Sequence, residues 1–99
     1  MVALNEPLYK HLTASGAVTT NNKAGRLLYV HFTSDTAGDK LEIKDGATIK
    51  ITLLVPAANG SDVFDPHNLA RPLFTTDIDA VITSSNNPAA TFIFEELTS

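Results

Sequence analysis

The chain has 99 residues, no cysteine, no tryptophan and a formal net charge of −4, the size of one ordinary domain, which buries roughly 65% of the surface its unfolded chain exposes. Without cysteine there is no disulfide framework, thiolate nucleophile or thiolate zinc site, and the acidic balance argues against a protein whose task is to neutralise phosphates. Apolar runs such as those around Leu53–Val55 and Phe92–Phe94 fall far short of the ~20 residues that span a bilayer, and a start carrying Asn5, Glu6 and Pro7 is not expected to be a signal peptide.

Thr and Ala each occur 12 times, Asn 7 and Ser 6, while Gln is missing and Met occurs once. Thr suits pleated, half-exposed positions, and Asn and Ser compete for backbone groups and mark turns. Little or no helix is expected.

In chain order, residues 1–7 read as a possible arm, followed by short strands at Tyr9–Thr13 and Ala17–Thr20. After the turn-rich Asn21-Asn22-Lys23-Ala24-Gly25, the run Arg26–Thr33 places Leu28, Val30 and Phe32 on one face and Leu27, Tyr29, His31 and Thr33 on the other. Both faces are fairly apolar, which suits a central strand. From Asp39 to Lys44, Leu41 and Ile43 oppose Lys40, Glu42 and Lys44, the pattern of a half-buried strand. Asp45-Gly46 supplies a tight hairpin turn. Thr48–Val55 returns with Ile49, Ile51, Leu53 and Val55 on one face until Pro56, which cannot donate to a ladder, ends it.

The segment Ala57–Arg71, with Asn59-Gly60-Ser61-Asp62 and Asp65-Pro66-His67-Asn68, is expected to be one long loop. Loops of about 15 residues are commonly functional or partner-bound. Leu73–Thr76, Asp77–Thr83 and Ala90–Leu97 complete the strands, the last with Phe92 and Phe94 on one face. The expected fold is all-β: a single antiparallel β-sandwich or jelly-roll-like domain of about seven or eight strands covering residues 1–99.

No catalytic, cofactor-binding or metal site is expected. His11, His31 and His67 are separated by 20 and 36 residues without metal-ligand spacing, and His67 beside Asp65 makes at most a weak solvated pair. Asp77 and Asp79, two apart on a predicted strand, have the spacing of paired carboxylates for acid/base work or cation binding, but read more simply as the wet face of that strand. Asp35, Asp39 and Glu42 flank a turn that lacks the ligand alternation of a calcium loop. No Gly-x-Ser-x-Gly and no phosphate-cradling loop occurs, and the basic residues are scattered. Asp62, Asp65, His67 and Asn68 remain as a candidate partner-contact loop, with groups able to hydrogen-bond sugar hydroxyls or hold a calcium ion.

The order of features also carries a resemblance. Ser15-Gly16-Ala17-Val18, Ala24-Gly25-Arg26-Leu27, Phe32-Thr33-Ser34, Lys44-Asp45-Gly46, Pro72-Leu73-Phe74-Thr75-Thr76-Asp77-Ile78 and Phe92-Ile93-Phe94 follow one another. This succession resembles the small all-β virion structural proteins of tailed bacteriophages. Asp77 stands where that pattern often has Gly. The resemblance implies a non-enzymatic role in the virion: a capsid decoration (cement) protein that binds the major capsid protein and stabilises the shell, as a homotrimer or homodimer. It brings no catalytic residues with it; no cofactor is expected, and the acidic balance and short apolar runs speak against nucleic-acid and membrane partners. A host-surface or glycan-recognition module of a fibre or tail, or a small tail or head-tail component, is the alternative.

Overall fold

The computed structural model describes residues 7–20, 23–66, 70–84 and 87–96. These carry nine strands and no helix: β1 (Leu8–Leu12), β2 (Gly16–Ala17), β3 (Gly25–Ser34), β4 (Lys40–Asp45), β5 (Thr48–Leu54), β6 (Gly60–Phe64), β7 (Leu73–Phe74), β8 (Asp79–Thr83) and β9 (Ala89–Glu96). All pairing is antiparallel, in two sheets. The first runs β1-β9-β3-β6 with β7 also on β3, and the second runs β2-β8-β4-β5. The main pairs are nested: β4–β5 lies inside β3–β6, that inside β2–β8, and β1–β9 encloses them all.

One apolar core fills the space between the sheets. Leu27, Val30, Phe32, Phe92 and Phe94 come from the first sheet, and Leu41, Ile43, Leu53 and Ala80 from the second, with Phe74 and Ile78 closing one end. Period-two alternation therefore does what the sequence implies, burying every second side chain. In two places a bulge resets the period. Between Leu27 and Tyr29 the β3–β9 register shifts, so Leu27 is fully buried on the same side as Val30 and Phe32, and Leu28, which strict alternation puts with Val30 and Phe32, is the extra residue. In β5 the register passes from Ile43↔Ile51 to Lys44↔Ile49. Lys50 is the extra residue, and Ile49, expected in the core, is 49% exposed. A bulge inserts one residue and flips the face of everything beyond it.

The long loop expected over residues 57–71 is corrected in its middle. Gly60–Phe64 forms β6 and pairs with β3, setting Phe64 against Val30 and Asp62 against Phe32. Its sequence Gly-Ser-Asp-Val-Phe has no apolar alternation, and turn signals flank it on either side. The strand count consequently exceeds the expected seven or eight. Residues 1–6 of the expected arm lie outside the described residues.

Gly46 and Gly25 are required by geometry. Gly46 sits in the β4–β5 turn at φ +61°, where a side chain is strained. A Cβ on Gly25 would come within 2.7 Å of the Glu95 carbonyl oxygen, so β3 and β9 can lie this close only with glycine there.

Candidate functional site

The two sheets present very different outer faces. On the first, the register aligns Tyr9 with Ile93 and Ile93 with Tyr29, and in the next row His11 with Thr91, Thr91 with His31 and His31 with Val63. Thr33 lies between Ala89 and Ser61 in the row after that. No carboxylate, lysine or arginine stands in these three rows; Arg26 and Glu95 pair at the far end of the strands. Tyr9 is 74% exposed and Val63 45%, and the His11 Nδ1 lies 3.2 Å from the Thr91 hydroxyl.

The second sheet turns Lys40, Glu42 and Lys44 outward from β4, with Asp79 beside Lys44 on β8. Lys40 and Glu42 approach to 3.8 Å. This is the solvated face expected from the alternation in β4. The first sheet thus offers an uncharged surface of hydroxyls, imidazoles and tyrosine rings, and the second a mixed one on which Lys40, Glu42, Lys44 and Asp79 stand among exposed Leu54 and Ile49.

The two ends of the molecule are fixed by carboxylates. At one end Asp45 accepts hydrogen bonds from the Thr75 and Thr76 backbone N–H groups at 2.9 and 2.8 Å and from the Thr75 hydroxyl at 3.2 Å. Asp77 reciprocates, its Oδ1 accepting the Gly46 N–H at 2.9 Å. Lys50 completes the junction by donating to the Leu73 carbonyl at 2.9 Å, with its ammonium 5.3 Å from the centre of the Phe74 ring. Burial pushes the Asp45 carboxyl up, but the donors of Thr75, Thr76 and Asp77 together outweigh it and hold the group below its ordinary value of 3.8. A carboxyl depressed in the folded state contributes stability above its unfolded pKa, about 3.9, and loses it as pH falls through the folded value. Asp45→Asn is therefore expected to cost about 1–2 kcal/mol at neutral pH. Urea titrations are expected to find that difference shrinking once the pH drops below about 4.

At the opposite end Asp39, 7% exposed, accepts hydrogen bonds from the Ser34 hydroxyl and, at 2.5 Å, from the Ser84 hydroxyl. Its backbone bonds Val55, and Asp35 beside it accepts from the Asn87 amide at 2.8 Å.

These positions decide most of the sequence candidates. Asp77 precedes β8 and serves the Gly46 turn, whereas Asp79 lies in β8 on the outer face beside Lys44, so the two carboxylates are engaged differently. Asp62 belongs to β6 rather than to a loop, and its carboxylate is engaged by the Leu54 and Val63 N–H groups at 3.1 and 2.9 Å. Asp65 is exposed just beyond β6, and His67 and Asn68 lie outside the described residues. Asp62 is thus explained as a clip between β6 and the edge of β5. His11 and His31, read singly in the sequence, come together across β9 on one face. Their shared parity with Tyr9 and Tyr29 was visible, but the pairing that makes them neighbours was not. Among the described residues no group of three or more His, Asp or Glu is arranged to hold a metal ion, and no helix is long and apolar enough to cross a membrane. Comparison with protein-family models, curated proteins and solved structures finds no match.

Proposed function

We propose that this chain is a non-enzymatic structural protein of a tailed-bacteriophage virion, a capsid decoration protein that docks on the shell through the outer face of its first sheet. The observation that carries this reading is the contrast between the two outer faces. A contact surface has to shed its water, and hydroxyls, imidazoles and aromatic rings cost less to desolvate than ammonium and carboxylate groups. Only the first sheet offers such a surface, while Lys40, Glu42, Lys44 and Asp79 keep the other side in water.

The strand order supports the same class. With the two-residue β7 set aside, β1-β9-β3-β6 and β2-β8-β4-β5 match the order expected of an eight-stranded jelly roll, a nested hairpin rolled into two facing sheets. Jelly rolls recur in capsid proteins, though they serve other functions too, so the argument for docking stays with the face. Four strands at ~4.8 Å spacing give a face only about 19 Å wide, smaller than a stable one-to-one interface needs. Docking of this kind gains its strength from many copies on a repeating lattice and from association into homotrimers or homodimers on its symmetry axes.

Mass spectrometry of particles purified from the encoding phage is expected to find the chain in copies comparable to those of the shell subunit. Thr91→Lys, in the middle of the uncharged face, is expected to remove it from the particle, and Glu42→Lys on the other face is not. Particles that lack the wild-type chain, or that retain the Thr91→Lys chain at full occupancy, would overturn the reading.

A further inference from the structure

The uncharged face carries two of the chain's three histidines. His11 of β1 and His31 of β3 stand on either side of Thr91 of β9, in one row across the sheet. His11 is exposed and His31 half-buried, and the His11 Nδ1 reaches the Thr91 hydroxyl at 3.2 Å. That hydroxyl can donate to a neutral Nδ1 or accept from a protonated one, so the contact survives a change of charge on the ring.

Among the described residues, little around this row would balance such a change. Along the same outer face β1 adds Tyr9, β9 adds Ala89 and Ile93, β3 adds Tyr29 and Thr33, and β6 adds Ser61 and Val63. Of these only the tyrosines are ionisable, and phenols titrate at about pH 10, far above imidazole. Lys10 belongs to the other side of β1, level with core-facing Phe92, and the Asp62 carboxylate is engaged by the Leu54 and Val63 N–H groups. Glu95, paired with Arg26, lies four residues along β9 from Thr91, roughly 13 Å at strand spacing and beyond the ~8 Å over which charges act at physiological salt. That leaves Asp65, exposed two residues past Val63, and one carboxylate against two imidazoliums keeps the row net positive.

We infer that the docking face is a pH-controlled contact: protons taken up by His11 and His31 release the protein from the shell. The switch rests on docking through the first sheet and adds how that contact is regulated. Imidazole is the side chain whose charge changes between pH 5 and 8. A neutral ring is desolvated against a partner at modest cost, whereas an imidazolium without a paired carboxylate costs far more. Docking therefore favours the unprotonated rings. By linkage, affinity falls as the pH drops, by up to about tenfold per pH unit for each histidine that must shed its proton to dock.

The test is retention on particles purified from the encoding phage, diluted and pelleted at about pH 8 and about pH 5.5, either side of the imidazole range, with the chain counted per shell subunit in each pellet. Wild-type retention is expected to fall about tenfold or more at the lower pH, while circular dichroism shows the free chain still folded there. The double variant His11→Gln, His31→Gln keeps polar side chains that take up no proton, and its retention is expected to be the same at both pH values, whatever its level. Each single variant, with one titrating ring left, is expected to fall less than wild type, and the single variants decide the matter if the double variant does not dock at all. Absence of the wild-type chain from particles at the higher pH overturns docking itself, and the switch with it. With docking intact there, the switch alone is overturned by equal or stronger wild-type retention at the lower pH, by unfolding of the free chain, by a fall that the histidine variants share in full, or by loss of the effect in His67→Gln instead.

Discussion

Replacing Phe92 with alanine is expected to destabilise the protein by about 3–5 kcal/mol, the usual cost of removing a buried phenylalanine ring. Phe92 is fully buried in β9, paired with Val30 of β3 on one side and Lys10 of β1 on the other. Its ring sits in the core with Phe32 and Phe94. A hole there is difficult to close, because the backbone on both sides is held by sheet hydrogen bonds and the opposite wall belongs to the other sheet. Small domains have only about 5–15 kcal/mol in all. At about 4 °C or more per kcal/mol for a domain of this size, the melting temperature should fall by at least roughly 12 °C. Calorimetry of Phe92→Ala beside Phe92→Leu separates the missing volume from the missing ring, and a loss under about 1 kcal/mol for the alanine variant would contradict the core described here.

The second large effect concerns polar burial. Asp39→Ala is expected to cost about 2–4 kcal/mol, since hydrogen bonds to a charged group contribute about 1.5–3 kcal/mol each and the Ser34 and Ser84 hydroxyls lose theirs together. The desolvation of the carboxylate, no longer required, offsets part of that sum. Asp39→Asn, whose amide oxygen still accepts from a serine hydroxyl, is expected to be at least about 1 kcal/mol more stable than Asp39→Ala. Denaturant titration of the wild type and these two variants checks it. If Asp39→Asn is no more stable than Asp39→Ala, the bonds from Ser34 and Ser84 are not what Asp39 contributes.

Much of this architecture could be read from residue order. Leu41 and Ile43 against Lys40, Glu42 and Lys44 gave both the strand and its wet face, and Asp45-Gly46 located the hairpin. The alternation of Phe92 and Phe94 marked the core side of β9. What stayed hidden was whatever depended on pairing. The bulges that bury Leu27 and expose Ile49 arise from a partner strand's register, which no single run of residues records. β6 was masked because Gly60 and Asp62 read as loop residues, and only pairing with β3 makes them a strand. Of the candidate loop residues, Asp62 proved to be a clip between strands. The uncharged face was legible in part: the parity of Tyr29, His31 and Thr33 was plain, but its continuation through Thr91, Ile93, Tyr9 and His11 required the order β1-β9-β3.

The nesting of the strand pairs also sets a timetable. β4 and β5 adjoin through a two-residue turn and can zip together as soon as both exist. β1 has to wait for β9, as the contact between His11 and Thr91, 80 positions apart, makes plain. Until β9 docks, β3 lacks its neighbour along most of its length, and Val30 and Phe32 lack the phenylalanines that cover them. Such distant pairing is slow, on the order of milliseconds to seconds, and it leaves an open strand edge in the interim. Because Tyr9, Ile93, Tyr29, His11, Thr91 and His31 become neighbours only in that final step, the uncharged face does not exist until the chain has finished folding. On the docking role proposed above, an unfinished chain would have no face with which to dock.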